Sequence, residues 1–251
     1  MFPLIYTNKN LLYLRNKVIH EYDITSGGYS CSLNHDLLSN DEQLILATLN
    51  KKDKQIFLGN KALQEKDFTK KLHAAFRHEI ANFISQNEIP EENILSIKKD
   101  SITFFNSNIS YTKNNHVTFT LRKNFTTFIL LGKLEFYYNI DNREFLVKGI
   151  SSDLTIESTL LEEIKQIMHL KSYKSDQSVY THLKEMRENY LSLQLENSYY
   201  RELNALGKYK LKDKLRGAFL YVDRIDDDEI NLIDIDYNYL NILLPLFKIF
   251  C

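Results

Sequence analysis

Cysteine is nearly missing from this chain: Cys31 and Cys251 are the only thiols in 251 residues. Two thiols cannot build a disulfide framework or a thiolate zinc site, and the scarcity fits a reducing compartment. Proline (3) and glycine (7) are almost as rare, which leaves little room for low-complexity linkers. No uncharged apolar run reaches the length of about 18 residues that a membrane-spanning helix requires. The N-terminal MFPLIYTNKN lacks the basic stretch, long apolar core and small-residue cleavage site of a secretory signal. The expectation is a cytoplasmic protein, neither secreted nor membrane-spanning. Packing material is plentiful: 43% of residues are hydrophobic, with 16 Tyr and 15 Phe. That suffices for one large domain or two small ones.

A net charge of −1 argues against a protein that coats nucleic acid by electrostatics alone. The charge is uneven, however. Residues 51–148 carry 16 Lys/Arg against 11 Asp/Glu, a balance of +5, and residues 151–251 carry 13 against 17, a balance of −4. A polyanion is expected at the middle region, and solvent or a protein partner at the tail.

Lys17 to Ile24 alternates like a strand and runs into a Thr25-Ser26-Gly27-Gly28 turn. Ser39 and Glu42 have capping-box spacing, which predicts a helix to about Asn50. A second helix is predicted from Asp67 to about Asn87. On it Leu72, Phe76, Ile80 and Phe83 share one face, and Lys66, Lys70, His73 and Arg77 form an adjoining stripe. Such a stripe is either a solvated face or the rim of a cleft. Ile94 to Phe105 reads as a hairpin around Lys98-Lys99-Asp100-Ser101, and the aromatic and β-branched runs from Val117 to about Ile150 read as an antiparallel meander. Beyond about 150 the pattern turns helical, with a longer helix from about Ser175 to Gly207. Its 4-3 spacing (Val179, Leu183, Met186, Tyr190, Leu193, Asn197, Tyr200) suits an antiparallel helix pair. Strands around Gly217–Val222 and Ile230–Ile235 and an apolar tail, NILLPLFKIFC, close the chain.

Several familiar chemistries are excluded by spacing. The seven histidines show no H-E-x-x-H arrangement, and Gly28-Tyr29-Ser30-Cys31-Ser32 fails G-x-S-x-G. The acidic run Asp226-Asp227-Asp228-Glu229 lacks the glycine and spacing of a calcium loop, and Asp234 and Asp236 share one face of an ordinary half-buried strand. The runs Phe104-Phe105 and Phe136-Tyr137-Tyr138 offer base-stacking surfaces or core packing.

One constellation converges on a reaction. Asp23 closes an apolar strand before a Gly-Gly pair, and Asp100 sits in a hairpin turn. Carboxylates on neighbouring strands suit two-metal phosphoryl chemistry, and Mg²⁺ needs only one or two of them beside substrate phosphates and water. Glycines there would let a triphosphate approach the peptide N–H groups. The segment Tyr22-Asp23-Ile24-Thr25-Ser26-Gly27-Gly28-Tyr29-Ser30, a D-x-x-S-x-x-Y-S pattern, and Ser96-Ile97-Lys98-Lys99-Asp100-Ser101 resemble the two carboxylate motifs of nucleic-acid polymerase palm domains, most nearly the phage and family B type. The helix with Lys70, Lys71 and Arg77 lies between them in order, where such enzymes place a fingers helix. The resemblance spans about residues 15–105. It implies that Asp23 and Asp100 are catalytic and bind Mg²⁺ (or Mn²⁺), with the Ile24 carbonyl as a further ligand. It also implies that Lys70 and Arg77 hold the triphosphate of an incoming nucleotide beside Gly27, Gly28 and Tyr29. Two departures stand out: the second motif lacks a paired acid, and the fifth position after Asp23, usually bulky, is Gly28. Either Tyr29 replaces that bulk with a one-residue shift, or the site admits ribonucleotides.

The expected fold is α+β, with a palm-like antiparallel sheet and packed helices over 1–150 and a helical hairpin plus C-terminal strands over 151–251. The expected function is metal-dependent nucleotidyl transfer on a nucleic-acid primer or template in a phage system, acting with protein partners because the chain is short. Two alternatives are a non-enzymatic nucleic-acid- and protein-binding subunit of such an assembly, including an inactive polymerase relative, and a purely protein-binding structural component.

Overall fold

The computed structural model describes residues 2–149, 158–173, 176–192, 194–195, 209–212, 219–222 and 246. The fold is α+β, and the chain divides into two compact units: Met1–Leu11 with Lys17–Phe125, and Leu12–Asn16 with Thr126–Cys251. The composition shift near residue 150 lies inside the second unit.

In the first unit, β1 (Ile5–Thr7) and β2 (Tyr13–Ile24) precede four helices: α1 (Gly27–Asn34), α2 (Asn40–Thr48), α3 (Lys51–Gln64) and α4 (Phe68–Gln86). The chain then returns through β3 (Ile94–Lys98), β4 (Ser101–Phe105), β5 (Lys113–Asn114) and β6 (Val117–Leu131), of which residues up to Phe125 belong to this unit. The strand order in this unit is β1-β3-β4-β2-β6, with β5 on β6. The β3–β4 hairpin pairs Lys98 with Ser101, and its turn places Lys99 at φ 59°. Asp23 of β2 lies opposite Ser101 of β4, so the hairpin register brings the tip holding Asp100 to the end of β2.

The capping box is formed as its spacing predicts: Ser39 Oγ accepts from Glu42 N–H, and the Glu42 carboxylate accepts from Ser39 N–H at 2.8 Å. Helix α4 buries Phe76, Ile80 and Phe83 against Ile24, Ile97, Ile102, Phe104 and Phe119 of the sheet. A second apolar cluster, Leu38, Leu46, Leu58 and Phe68, joins the helices to one another. Glu79, buried in α4, accepts from His35 Nε2 (2.7 Å), Asn34 Nδ2 (2.8 Å) and Asn114 Nδ2 (3.2 Å), which ties the end of α1 and β5 to α4. Phe104 and Phe105 are buried, so packing rather than base stacking occupies them. Cys31 is also buried, which pushes its thiol pKa far up and leaves it unreactive.

Helix α3 is one that hydrophobic periodicity does not reveal. Leu63, Ile56 and Gly59 face outward, whereas Lys61 is buried and its Nζ donates to Glu42 (2.6 Å) and Glu65 (2.5 Å). Burial alone would lower the Lys61 pKa, but the two carboxylates outweigh it and hold the ammonium charged.

In the second unit, β7 (Leu134–Tyr138) and β8 (Phe145–Lys148) continue the antiparallel meander from β6. Helices α5 (Ser158–Tyr173) and α6 (Asp176–Leu191) form the expected pair. Ile164, Ile167 and Met168 of α5 and Val179, Leu183, Met186 and Tyr190 of α6 pack with Ile129, Leu131, Phe136 and Tyr138. Phe136, Tyr137 and Tyr138 are core residues here too. The helix expected to reach Gly207 ends at Leu191. Ser192 Oγ donates to the Glu188 carbonyl (2.7 Å), and Gln194 N–H folds back onto Asn189 O (2.9 Å), closing the last turn. Strand β10 (Phe219–Val222) pairs with β9 (Tyr209–Lys212), a partner the sequence reading did not anticipate. The remaining motif residues of that helix (Leu193, Asn197, Tyr200), the strand at 230–235, Asp226–Glu229, Asp234, Asp236 and the apolar tail other than Leu246 lie outside the described residues. No helix among the described residues is long and apolar enough to cross a membrane.

Candidate active site

A cavity of about 210 Å³ opens in the first unit where β2 ends, lined by Asp23, Ile24, Ser26, Gly27, Gly28 and Tyr29. Lys51, Lys54, Gln55 and Leu58 of α3 form another wall, and Asp100 and Arg122 complete it. Asp23 and Asp100 meet because β2 and the β3–β4 hairpin are hydrogen-bonded neighbours: Ile24 N–H donates to Asp100 O at 2.9 Å. The chain then enters α1 without a loop. Ser26 takes a left-handed conformation (φ 51°) to make that turn, and Ser30 Oγ holds it by donating to Thr25 O at 2.7 Å.

The Gly-Gly pair forms the first turn of α1. Gly27 is required for a steric reason: a Cβ there would lie 2.7 Å from Asp100 Oδ2 and 3.0 Å from Asp100 Cβ. Gly28 packs on α3, where a Cβ would lie 3.3 Å from Leu58 Cδ1. Close packing of α1 against Asp100 and α3 sets the width of the cavity.

The cavity is lined by residues of both charges. Burial raises the pKa of Asp100, and the neighbouring Asp23 charge raises it further, against smaller opposing effects of its own N–H, Lys99 and Arg122. Among the described residues, no other side chain donates to its carboxylate. Asp23 has a partner: Arg122 Nε and Nη2 both donate to its Oδ2, at 3.0 and 2.9 Å. Lys54 Nζ lies 4.3 Å from the centroid of the Tyr29 ring, a cation–π contact. Asn50 caps α3 by accepting from Lys52 and Asp53 N–H groups, so the positive end of the helix dipole reinforces Lys51 and Lys54.

Asp23, Ile24, Gly27, Gly28, Tyr29 and Asp100 thus come together in one cavity. Lys70 and Arg77 do not join them. Lys70 is exposed on α4, and Arg77 lines a separate shallow depression with Phe2, Pro3, Leu4, Ile80, Ala81, Ile97 and Lys99. The basic groups at the cavity are instead Lys51, Lys54 and Arg122, which the sequence reading missed. The N-K-K-D-K run at 50–54 was the available local signal for the lysines. Arg122 had none, because it reaches Asp23 only through the pairing of β2 with β6, where Thr25 Oγ1 and Thr120 Oγ1 also bond at 2.6 Å.

The donor set fits a hard dication at its smallest. A carboxylate at the end of β2 and another in the β3–β4 turn line one cavity, and Mg²⁺ takes as few as one or two with the rest supplied by substrate and water. Among the described residues no group of three or more His, Cys, Asp or Glu gathers to hold a metal.

Fold and cavity together define an α+β protein with a mixed-charge cavity. The family model of the Bacteriophage PBS1 gene 130 protein matches residues 4–251, and the chain belongs to that phage protein family. No curated protein matches it.

Proposed function

We propose that the cavity is the site of metal-dependent nucleotidyl transfer onto a nucleic-acid primer or template. One observation carries this reading: carboxylates from two hydrogen-bonded strand ends share a cavity with Lys51, Lys54 and Arg122. Two acids and three bases suit a ligand that is itself a dication bound to a polyanion, as a nucleoside triphosphate is in its Mg²⁺ form. At about 210 Å³ the cavity is smaller than pockets enclosing a whole drug-sized ligand. It takes the phosphate end, and base and sugar lie outside toward Tyr29.

When bound, the Mg²⁺ ion would stabilise charge developing on the transferred phosphoryl oxygens. Asp23 and Asp100 would hold it, with the Ile24 carbonyl as a further ligand. Lys51, Lys54 and the α1 N-terminus would hold the non-reacting phosphates. The cavity reading moves the triphosphate contacts from Lys70 and Arg77 to α3.

Asp23→Asn and Asp100→Asn are each expected to abolish Mg²⁺-dependent nucleotide incorporation, at least a hundredfold, while nucleic-acid affinity stays within about twofold. Incorporation persisting in both folded variants refutes the proposal. A second reading, a non-enzymatic nucleic-acid- and protein-binding subunit, draws support from the exposed Lys66 just before α4, Lys70 and Lys71 on it, and the exposed Leu44, Ile45, Ile56 and Leu63. It predicts no incorporation to lose and a drop in binding for Lys70→Ala.

A further inference from the structure

Arg122 makes an unusual pairing for a permanent structural anchor. Both of its donating nitrogens go to one oxygen of Asp23, Oδ2, rather than forking across the carboxylate, so Arg122 leaves Oδ1 of this cavity-lining residue without a bond from it. The Arg122 side chain is 48% exposed and that of Asp23 22%. A pair so exposed shifts an equilibrium by about fivefold at most, and a ligand of higher charge displaces it readily. The guanidinium sits on the cavity wall, where anionic and cationic portions of one ligand would both be in reach.

We infer that Arg122 is an exchangeable counter-ion, holding Asp23 while the cavity lacks a cation and moving onto the polyanion when a divalent cation takes the carboxylate. The inference deepens the metal–nucleotide reading of this cavity and rests on it. Arg122 is then a positioning residue with two successive partners. It keeps Asp23 oriented before binding, opposes entry of a bare cation, and contributes to phosphate recognition once that cation has arrived. Metal and phosphate thereby favour each other's binding, which selects the metal–polyphosphate pair over either ion alone.

The test uses the full chain, with Mn²⁺ alone and inorganic tripolyphosphate alone as titrants in calorimetry. For Arg122→Gln, Mn²⁺ affinity is expected to rise about three- to fivefold and tripolyphosphate affinity to fall about three- to fivefold. Arg122→Lys keeps the charge, guards against a folding defect in the first variant, and is expected to shift both affinities in the same directions by less. Opposite signs are the signature, since damage to the site weakens both. Mn²⁺ affinity that is unchanged or weaker in folded Arg122→Gln overturns the inference and leaves the metal site standing. If the wild-type chain shows no Mn²⁺ binding that Asp23→Asn removes, the metal–nucleotide reading fails, and the inference with it.

Discussion

Two groups of basic residues in the first unit differ in what surrounds them. Just before α4 and in its first turn, Lys66, Lys70 and Lys71 are exposed, and Arg77 turns to a shallow, mostly apolar depression. On α3 and β6, Lys51, Lys54 and Arg122 surround two carboxylates in a cavity. The α4 stripe has the more regular spacing, yet the α3 group has the ligand-like environment. A helical stripe reports which residues share an azimuth, whereas a site needs walls contributed by several elements. The exposed lysines of the first group are surrounded by water, where a charge is screened. The cavity cations face opposite charge and low-dielectric walls, where each phosphate contact counts for more.

Charge removal separates the two groups most widely. Lys51→Ala with Lys54→Ala is expected to weaken tripolyphosphate binding by about 30-fold or more, or about 2 kcal/mol, whereas Lys66→Ala with Lys70→Ala changes it less than about twofold. Calorimetric titration of both double variants decides it. Equal losses would mean that the polyanion reads overall charge and not the cavity. Gly27→Ala follows in size. The new methyl group overlaps Asp100, whose short side chain has little room to yield against Gly27, so a stability loss of about 1–3 kcal/mol is expected. Mn²⁺ affinity falls with it, by about tenfold, as Asp100 is pushed from Asp23. Gly59→Ala is the matched control, since a Cβ there meets nothing within 4 Å. It should leave Mn²⁺ binding unchanged and add about 0.5–1 kcal/mol of helix stability.

How much of this was legible in the sequence depends on range. The β3–β4 hairpin, the Ser39 capping box and α4 are written in a few consecutive residues each, and all three are present. The meeting of Asp23 and Asp100 was read from two strand ends and a resemblance, and pairing of β2 with β4 puts both in one cavity. Helix α3 was not legible because it inverts the usual pattern. Leu63 is 85% exposed and Lys61 8%. The buried ammonium is matched by Glu42, which lies 19 residues away, so no window on α3 alone shows it. Arg122 lies 99 residues from Asp23, and nothing local to β6 marks its partner. The glycine pair was legible, but the space that restricts position 27 was not, because it is set by Asp100 at the tip of a hairpin distant in sequence.

The smallest expected effect bears on why the cavity, unlike the stripe, carries an energetic cost in the absence of ligand. Asp100 is raised above its ordinary 3.8 by burial and by Asp23. Its folded form therefore holds a proton more tightly than the unfolded chain, so the native state gains protons relative to the unfolded state between 3.8 and the raised value. Stability then falls as pH rises through that window and levels off above it. Asp100→Asn, measured by thermal unfolding in the presence of a chelator, is expected to raise the midpoint at pH 7 by a few degrees at most. The gain should shrink toward zero as pH drops to the ordinary Asp range. A destabilised Asp100→Asn at pH 7 would mean that the charged carboxylate is held by favourable contacts and forms part of the scaffold. A stabilised one identifies a charge kept at a cost to folding, the pattern expected where a cation is to be bound.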